Sequence, residues 1–160
     1  MKTLVLVRHA KSAWGDPTLA DHDRPLNDRG RRDAPEMATR LRERGVVPDA
    51  IRSSTAVRAR TTAEAMAGTL DLPAGVLLLD ERLYGAGPDT ILGVVAELDD
   101  EVGTAMVVAH DPGMSDLAYR LSGEIEHMPT CAVAEFRFAV WSWSEIPDAA
   151  AVAVHLDTPR

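Results

Sequence analysis

Residues 4–14 of the chain read LVLVRHAKSAW, so four aliphatic residues lead directly into Arg8 and His9. Residues 3–7 are β-branched or aliphatic without alternation, a pattern that predicts a central strand covered on both faces. Side chains at the end of a rigid strand are held more accurately than side chains on a loop. A lone histidine there is usually a hydrogen-bonded structural residue, so its interpretation depends on what else the chain brings to the same place.

Strands and helices alternate along the rest of the sequence. Helices are expected from close to Asp33, where Pro35 and a capping box of Asp33 with Glu36 favour the start, and after Ser54, which could act as a cap. Earlier turns of the first helix would need a kink. The other predicted strands cover residues 49–53, 75–79, 104–109, 132–140 and 150–156, and the other predicted helices begin at 88 and 112.

The alternation predicts an α/β fold in a single domain over residues 1–160. We expect a three-layer sandwich in which a mostly parallel central sheet of about six strands carries helices on both faces. The partial alternation of residues 132–140 favours a position nearer the edge of that sheet.

Composition excludes several classes of protein. The 160 residues carry a formal net charge of −8, which disfavours non-specific binding to nucleic acid. No apolar stretch approaches a membrane span, and the N-terminus lacks the pattern of a signal peptide. Cys131 is the only cysteine, so no intrachain disulfide can form, and we expect it to be inert. We therefore expect a cytoplasmic protein without membrane or nucleic-acid partners; its oligomeric state stays open.

Four segments deliver unusual residues to one edge of the predicted sheet, where ligands of open α/β sheets bind. The first strand ends in Arg8 and His9, and the second leads through two serines to Arg58. The third ends in Asp80 and Glu81, and the fourth in His110 and Asp111. Two histidines, two arginines and several acids in one cleft indicate a catalytic site rather than separate structural residues.

These segments resemble the motifs of a known family. The stretches VRHAKSAW, SSTAVRARTT and VVAHDPGM are similar, in order and spacing, to those of the histidine phosphatase superfamily, also called the phosphoglycerate mutase-like fold. The resemblance spans residues 3 to about 115. The short length, the HDRPLNDRG loop, the HDPG run and Ala10 resemble the small SixA-type phosphohistidine phosphatases in particular.

The resemblance implies a phosphatase that works through a covalent phosphohistidine on His9, with Arg8, Arg58 and His110 around the phosphoryl group. Arginine forks match phosphate oxygens, nearby positive charge keeps His9 neutral, and a protonated His110 would add a third donor. Lys11, Ser12 and Arg24 could also reach the phosphate, although each could equally be solvated. No metal and no cofactor are expected.

The general acid is less well defined by the sequence. Glu81 follows the third strand, where mutase-type relatives carry their acid, and Asp111 follows His110, as the acid does in larger acid phosphatases of the superfamily. Asp111 just before Pro112 is also a common helix cap, which favours Glu81 slightly. Three further histidines are expected to be surface or structural residues: His22, His127 and His155. The tryptophans are expected to be packing residues rather than platforms for a substrate: Trp14, Trp141 and Trp143.

Several functions remain open at this point. The substrate could be a phosphohistidine in a protein or a small phosphorylated metabolite. A non-catalytic phosphate-binding module on the same fold is a third interpretation, which the presence of both histidines and both arginines disfavours. A metallohydrolase is the fourth, and the histidines lack the paired spacing usual for metal ligands.

Overall fold

A six-stranded sheet organises the chain, whose computed structural model describes residues 1–160. The strands are β1 (Lys2–Arg8), β2 (Ala50–Ser53), β3 (Leu77–Leu79), β4 (Thr104–Ala109), β5 (Val133–Phe138) and β6 (Ala153–Asp157). The helices are α1 (Asp28–Glu43), α2 (Val57–Thr69), α3 (Pro88–Ala96) and α4 (Gly113–Ser122). Short 3₁₀ turns cover Asp21–Asp23, Glu81–Leu83 and Trp143–Asp148.

The lateral order of the sheet is β3-β2-β4-β1-β5-β6. The four strands from β3 to β1 pair in parallel, whereas β5 pairs antiparallel with both β1 and β6. The mostly parallel sheet of about six strands is therefore confirmed. β5 lies next to the edge strand β6, nearer an edge of the sheet than β1 or β4, as its partial alternation predicts.

Two hydrophobic cores lie on opposite faces of the sheet. Leu4 and Leu6 of β1 face one core, which includes residues of α3 and α4. Val5 and Val7 face the other, which includes residues of α1 and α2. The near-continuous apolar sequence of β1 and β4 follows from this arrangement, because both faces of a central strand are covered.

Helix α1 begins earlier than the sequence predicts. Asn27, rather than Asp33, is the N-terminal cap, and its side chain accepts a hydrogen bond from the amide of Gly30 at 2.9 Å. Pro35 lies inside the helix, and Asp33 binds the guanidinium of Arg160 at 2.7 Å instead of capping. An earlier cap thus outweighs the single backbone hydrogen bond that a proline removes.

Two other local expectations are wrong. The cap position of α2 is Ala56 and carries no side-chain cap, because Ser54 lies farther from the helix and faces the site described below. Trp143 is a core residue as expected, whereas Trp14 and Trp141 are 75% and 89% exposed.

No helix combines the length and the apolar composition needed to cross a membrane.

Candidate active site

Strand pairing brings the two predicted histidines together. Strands β1 and β4 are parallel neighbours in a register that sets Arg8 opposite Ala109. The next residues, His9 and His110, therefore leave the sheet side by side, and their ring centroids lie 5.1 Å apart.

The backbone around His9 is held from three sides. Its amide donates to the carbonyl of Ala109 at 3.0 Å, and the amide of Cys131 donates to the carbonyls of Arg8 and His9. The amide of Ala10 donates to Thr62 Oγ1 at 3.0 Å, which ties this segment to α2. His9 is thus a fixed side chain rather than a mobile one.

One nitrogen of the His9 ring is free for chemistry. Nδ1 lies 2.7 Å from the carbonyl oxygen of Ala10, and because a carbonyl can only accept, Nδ1 carries the proton. The lone pair of the neutral ring is then on Nε2. Burial lowers the pKa of His9 to about 4, and the positive charges of Arg58 and Arg8 act in the same direction. His9 is therefore a neutral potential nucleophile at physiological pH.

His110 is also buried and neutral. Burial lowers its pKa to about 3, helped by His9 and Arg58, so the ring of the free protein is neutral at pH 7 and the protonated form considered from the sequence is not its resting state. Nε2 lies 2.8 Å from Ser54 Oγ, and Nδ1 is buried without a partner. When Ser54 donates its hydroxyl proton to Nε2, the ring carries its own proton on Nδ1 and still offers a donor.

The guanidinium groups of the two arginines are held through their Nη atoms, whereas their Nε atoms have no hydrogen-bond partner. Arg8 Nη1 donates to the carbonyl of Met128 at 3.0 Å and lies 3.4 Å from Asp111. Arg58 donates to Asp21, from Nη1 to the carbonyl at 2.7 Å and from Nη2 to the carboxylate at 3.0 Å. The Nε of each is buried without a hydrogen-bond partner. Both side chains also line the pocket described next, and guanidinium groups match the oxygens of an anion such as phosphate.

A pocket of about 280 Å³ collects eight of the nine predicted site residues. The predicted residues in its lining are Arg8, His9, Lys11, Ser12, Arg24, Arg58, His110 and Asp111, joined by Trp14 and Thr130. Four of these side chains are cationic and one is a carboxylate. The pocket is therefore locally positive in a protein whose net charge is −8. No group of three or more His, Cys, Asp or Glu side chains is placed to hold a metal ion.

The two candidate acids differ in position. Glu81 is exposed in the 3₁₀ turn after β3 and does not line the pocket, contrary to the preference drawn from the sequence. Asp111 lines the pocket, and its carboxylate also accepts hydrogen bonds from the amide and hydroxyl of Ser115, at 2.9 and 2.7 Å. The cap position of α4 is Pro112 rather than Asp111, but Asp111 still accepts from an amide in the first turn of the helix while it lines the pocket.

Asp21 is the contributor that the sequence does not reveal. Its carboxylate accepts from Arg58, from Arg24 at 3.1 Å and from the hydroxyl of Tyr84 at 2.7 Å. The hydrogen bond from Tyr84 is the main cause that lowers the pKa of Asp21 strongly, so the group stays ionised. Its position directly before the HDRP stretch of residues 22–25 is the only available signal, because loops carry no periodicity.

Comparison with known proteins agrees with this geometry. The model of the "Histidine phosphatase superfamily (branch 1)" matches residues 4–87. "Uncharacterized protein Rv1276c" of Mycobacterium tuberculosis is 39% identical, over 96% of this chain and 100% of that protein.

Solved structures are similar over nearly the whole chain. A protein of Nakamurella multipartitia assigned as a phosphohistidine phosphatase SixA is 28% identical with a TM-score of 0.87, covering 99% of this chain and 96% of its own. Its counterpart from Agrobacterium tumefaciens is 27% identical with a TM-score of 0.81, covering 98% and 99%. The paired histidines, the two arginines beside them and these matches lead to one conclusion: the chain belongs to branch 1 of the histidine phosphatase superfamily.

Proposed function

We propose that this protein is a phosphatase that hydrolyses phosphohistidine in a protein substrate through a phosphohistidine intermediate on His9. One observation carries the proposal. A neutral His9 with a free Nε2 lines one pocket together with Arg8, Arg58 and His110. A phosphoryl group accepts hydrogen bonds through several oxygens, so these side chains would bind it while its phosphorus faces the nucleophile.

In the first step, Nε2 of His9 attacks phosphorus in line with the leaving group. The bond from phosphorus to the leaving atom breaks, and the leaving group takes the electron pair and a proton. In the second step, water attacks the phosphohistidine, the P–N bond breaks, and inorganic phosphate leaves His9 neutral again. Arg8 and Arg58 stabilise the charge on the equatorial oxygens in both steps. We propose that no metal ion takes part.

The size of the pocket supports a substrate that inserts only its phosphoryl end. Its volume of about 280 Å³ falls just below the range of about 300–1,000 Å³ usual for pockets that enclose a small ligand. A phosphorylated side chain on a protein meets this condition, because the rest of the partner stays outside. A small metabolite is the competing substrate, and turnover of a phosphohistidine peptide against a panel of phosphorylated metabolites distinguishes the two.

The covalent intermediate is the direct test. Enzyme quenched during turnover should carry phosphate that is labile in acid and stable in alkali, on the peptide that contains His9. His9→Ala should lose nearly all activity and all labelling while remaining folded, whereas His155→Ala, which removes an exposed histidine of β6, should retain both. Activity should persist in a chelator. Normal turnover by His9→Ala would exclude the covalent mechanism.

The acid should matter only for poor leaving groups. A general acid contributes roughly 10²- to 10⁴-fold, and a phosphohistidine needs it less because its ring can leave with a proton that it already carries. We propose that Asp111, which lines the pocket, serves this role better than Glu81. Asp111→Asn should therefore lower kcat/KM on an alkyl phosphate far more than on phosphohistidine, with Glu81→Gln nearly unchanged. Equal losses on both substrates would assign Asp111 a structural role alone.

A further inference from the structure

An open groove adjoins the catalytic pocket. Its volume is about 470 Å³, larger than the 280 Å³ of the pocket itself. The groove and the pocket share Trp14 and Arg24, so the two adjoin at this pair of side chains. The groove is lined by Trp14, Gly15, Asp16, Pro17, Leu19, Asp21 and Arg24.

The indole of Trp14 is held in place without being buried. The guanidinium of Arg24 lies 3.6 Å from the ring centroid, which covers one face of the ring. Arg24 is itself fixed by Asp21 at 3.1 Å, Ser12 at 2.9 Å and the carbonyl of Ala13 at 3.2 Å. Trp14 nevertheless remains 75% exposed. A large aromatic surface is therefore presented to solvent at the rim of the catalytic pocket, on a support of hydrogen-bonded side chains.

The groove carries more negative than positive side chains, whereas the pocket carries more positive ones. Asp16 and Asp21 outnumber Arg24, whereas four cations face one carboxylate in the pocket. A second anionic group of a substrate is thus disfavoured in the groove. An uncharged or cationic group is favoured, and the flat indole face favours a planar one.

We propose that this groove is the leaving-group subsite and that it binds a planar aromatic ring stacked on Trp14. The proposal rests on the proposed phosphatase function. It narrows the substrates to phosphoryl groups carried on an aromatic ring, of which the imidazole of a phosphohistidine is one, and disfavours substrates with a second phosphate. The imidazole becomes more basic as the P–N bond breaks, and carboxylates nearby favour its protonated form.

Non-hydrolysable phosphonates test the subsite without turnover. Benzylphosphonate and cyclohexylmethylphosphonate have the same charge and linkage and nearly the same size, and they differ in aromaticity. Calorimetry should give wild-type protein a roughly three- to tenfold tighter Kd for benzylphosphonate, the range expected of one aromatic pair. Trp14→Ala and Trp14→Leu should remove this preference, and Trp14→Phe should keep part of it.

Trp141→Ala is the matched control, because Trp141 is also exposed but does not line the pocket or the groove. This variant should keep the preference. Equal affinities of the two phosphonates for wild-type protein would overturn the proposal. So would an equal loss of both in Trp14→Ala, since Trp14 would then act only by holding Arg24.

The outcomes separate the subsite from the underlying function. If the protein binds inorganic phosphate and both phosphonates without an aromatic preference, only the subsite proposal is contradicted. If the preference depends on Trp14 but His9 never becomes phosphorylated, the subsite proposal is supported and the covalent mechanism is contradicted. A protein that binds neither inorganic phosphate nor either phosphonate contradicts both proposals.

Discussion

Acidification should destabilise this protein through its two buried histidines. In the folded state the pKa of His9 is about 4 and that of His110 about 3, both below the ordinary value of 6.5 that applies in the unfolded chain. Below pH 6.5 the unfolded state therefore binds more protons than the folded state. The free energy of unfolding falls as the pH falls from about 6.5 towards the folded pKa values.

The size of this effect follows from the pKa shifts. For one histidine with a pKa near 6.5 unfolded and about 4 folded, lowering the pH from 7 to 5 removes about 2 kcal/mol of stability. His110 contributes a similar amount, because its folded pKa is lower still. The carboxylates contribute little in this window, since the ordinary pKa of an aspartate lies near 3.9. The pair should thus account for about 4 kcal/mol between pH 7 and pH 5.

Urea unfolding at pH 7, 6 and 5, in buffers without phosphate, measures this dependence. His9→Asn retains a donor that can reach the carbonyl of Ala10 but cannot titrate, so its stability should change by about 2 kcal/mol less than that of wild-type protein over the same range. His155→Asn, which changes an exposed histidine, serves as the control. Identical pH slopes for wild-type protein and His9→Asn would refute the assignment of His9 as a buried neutral ring.

Two further substitutions test how the site is held. Gly30→Ala would place a methyl carbon 2.2 Å from the carbonyl oxygen of Lys11, so urea unfolding should show a free energy of unfolding lower by roughly 1–3 kcal/mol. Gly93→Ala on α3 is the control, because its methyl group would meet nothing within 4 Å. Its free energy of unfolding should be unchanged or higher by up to about 1 kcal/mol. Equal stabilities would mean that α1 does not approach the loop after His9 so closely. Asp21→Asn removes the charge that anchors Arg58, and we expect kcat/KM to fall about tenfold at nearly unchanged Tm. A higher kcat/KM would instead show that Asp21 competes with phosphate for Arg58.

The sequence predicts the histidines better than the acid for a topological reason. Alternating strands and helices indicate a parallel sheet, so strand ends can be assigned to one edge of it. The lateral order of the strands is not visible in the pattern. In the structure β4 lies beside β1, which brings His110 to His9, whereas β3 is the outermost strand, which leaves Glu81 outside the pocket.

The sequence predicts that a loop precedes α1, but it does not predict where the side chains of that loop lie. The density of Gly, Pro, Asp and Asn in residues 15–30 predicts a loop, of which residues 28–30 belong to α1 in the structure. No periodicity tells where Asp21, or Trp14 just before this stretch, comes to lie. Their positions depend on tertiary contacts, such as the hydrogen bonds from Arg58 and Tyr84 to Asp21. The predicted start of α1 at Asp33 is wrong for a related reason, because the close approach of Gly30 to the backbone of Lys11 is a tertiary contact that the local sequence pattern does not show.

The same loop explains how an acidic protein can attract and orient an anionic substrate. Arg24 contributes its charge to the catalytic pocket, while Asp21 holds Arg24 and Arg58 by carboxylate contacts on the side of the groove. Positive charge is thereby concentrated where the phosphoryl group would bind, and negative charge where the rest of the substrate would lie. The in-line attack by His9 that we propose would require the leaving group to point away from the nucleophile, and a polarity of this kind would favour that orientation before any covalent step.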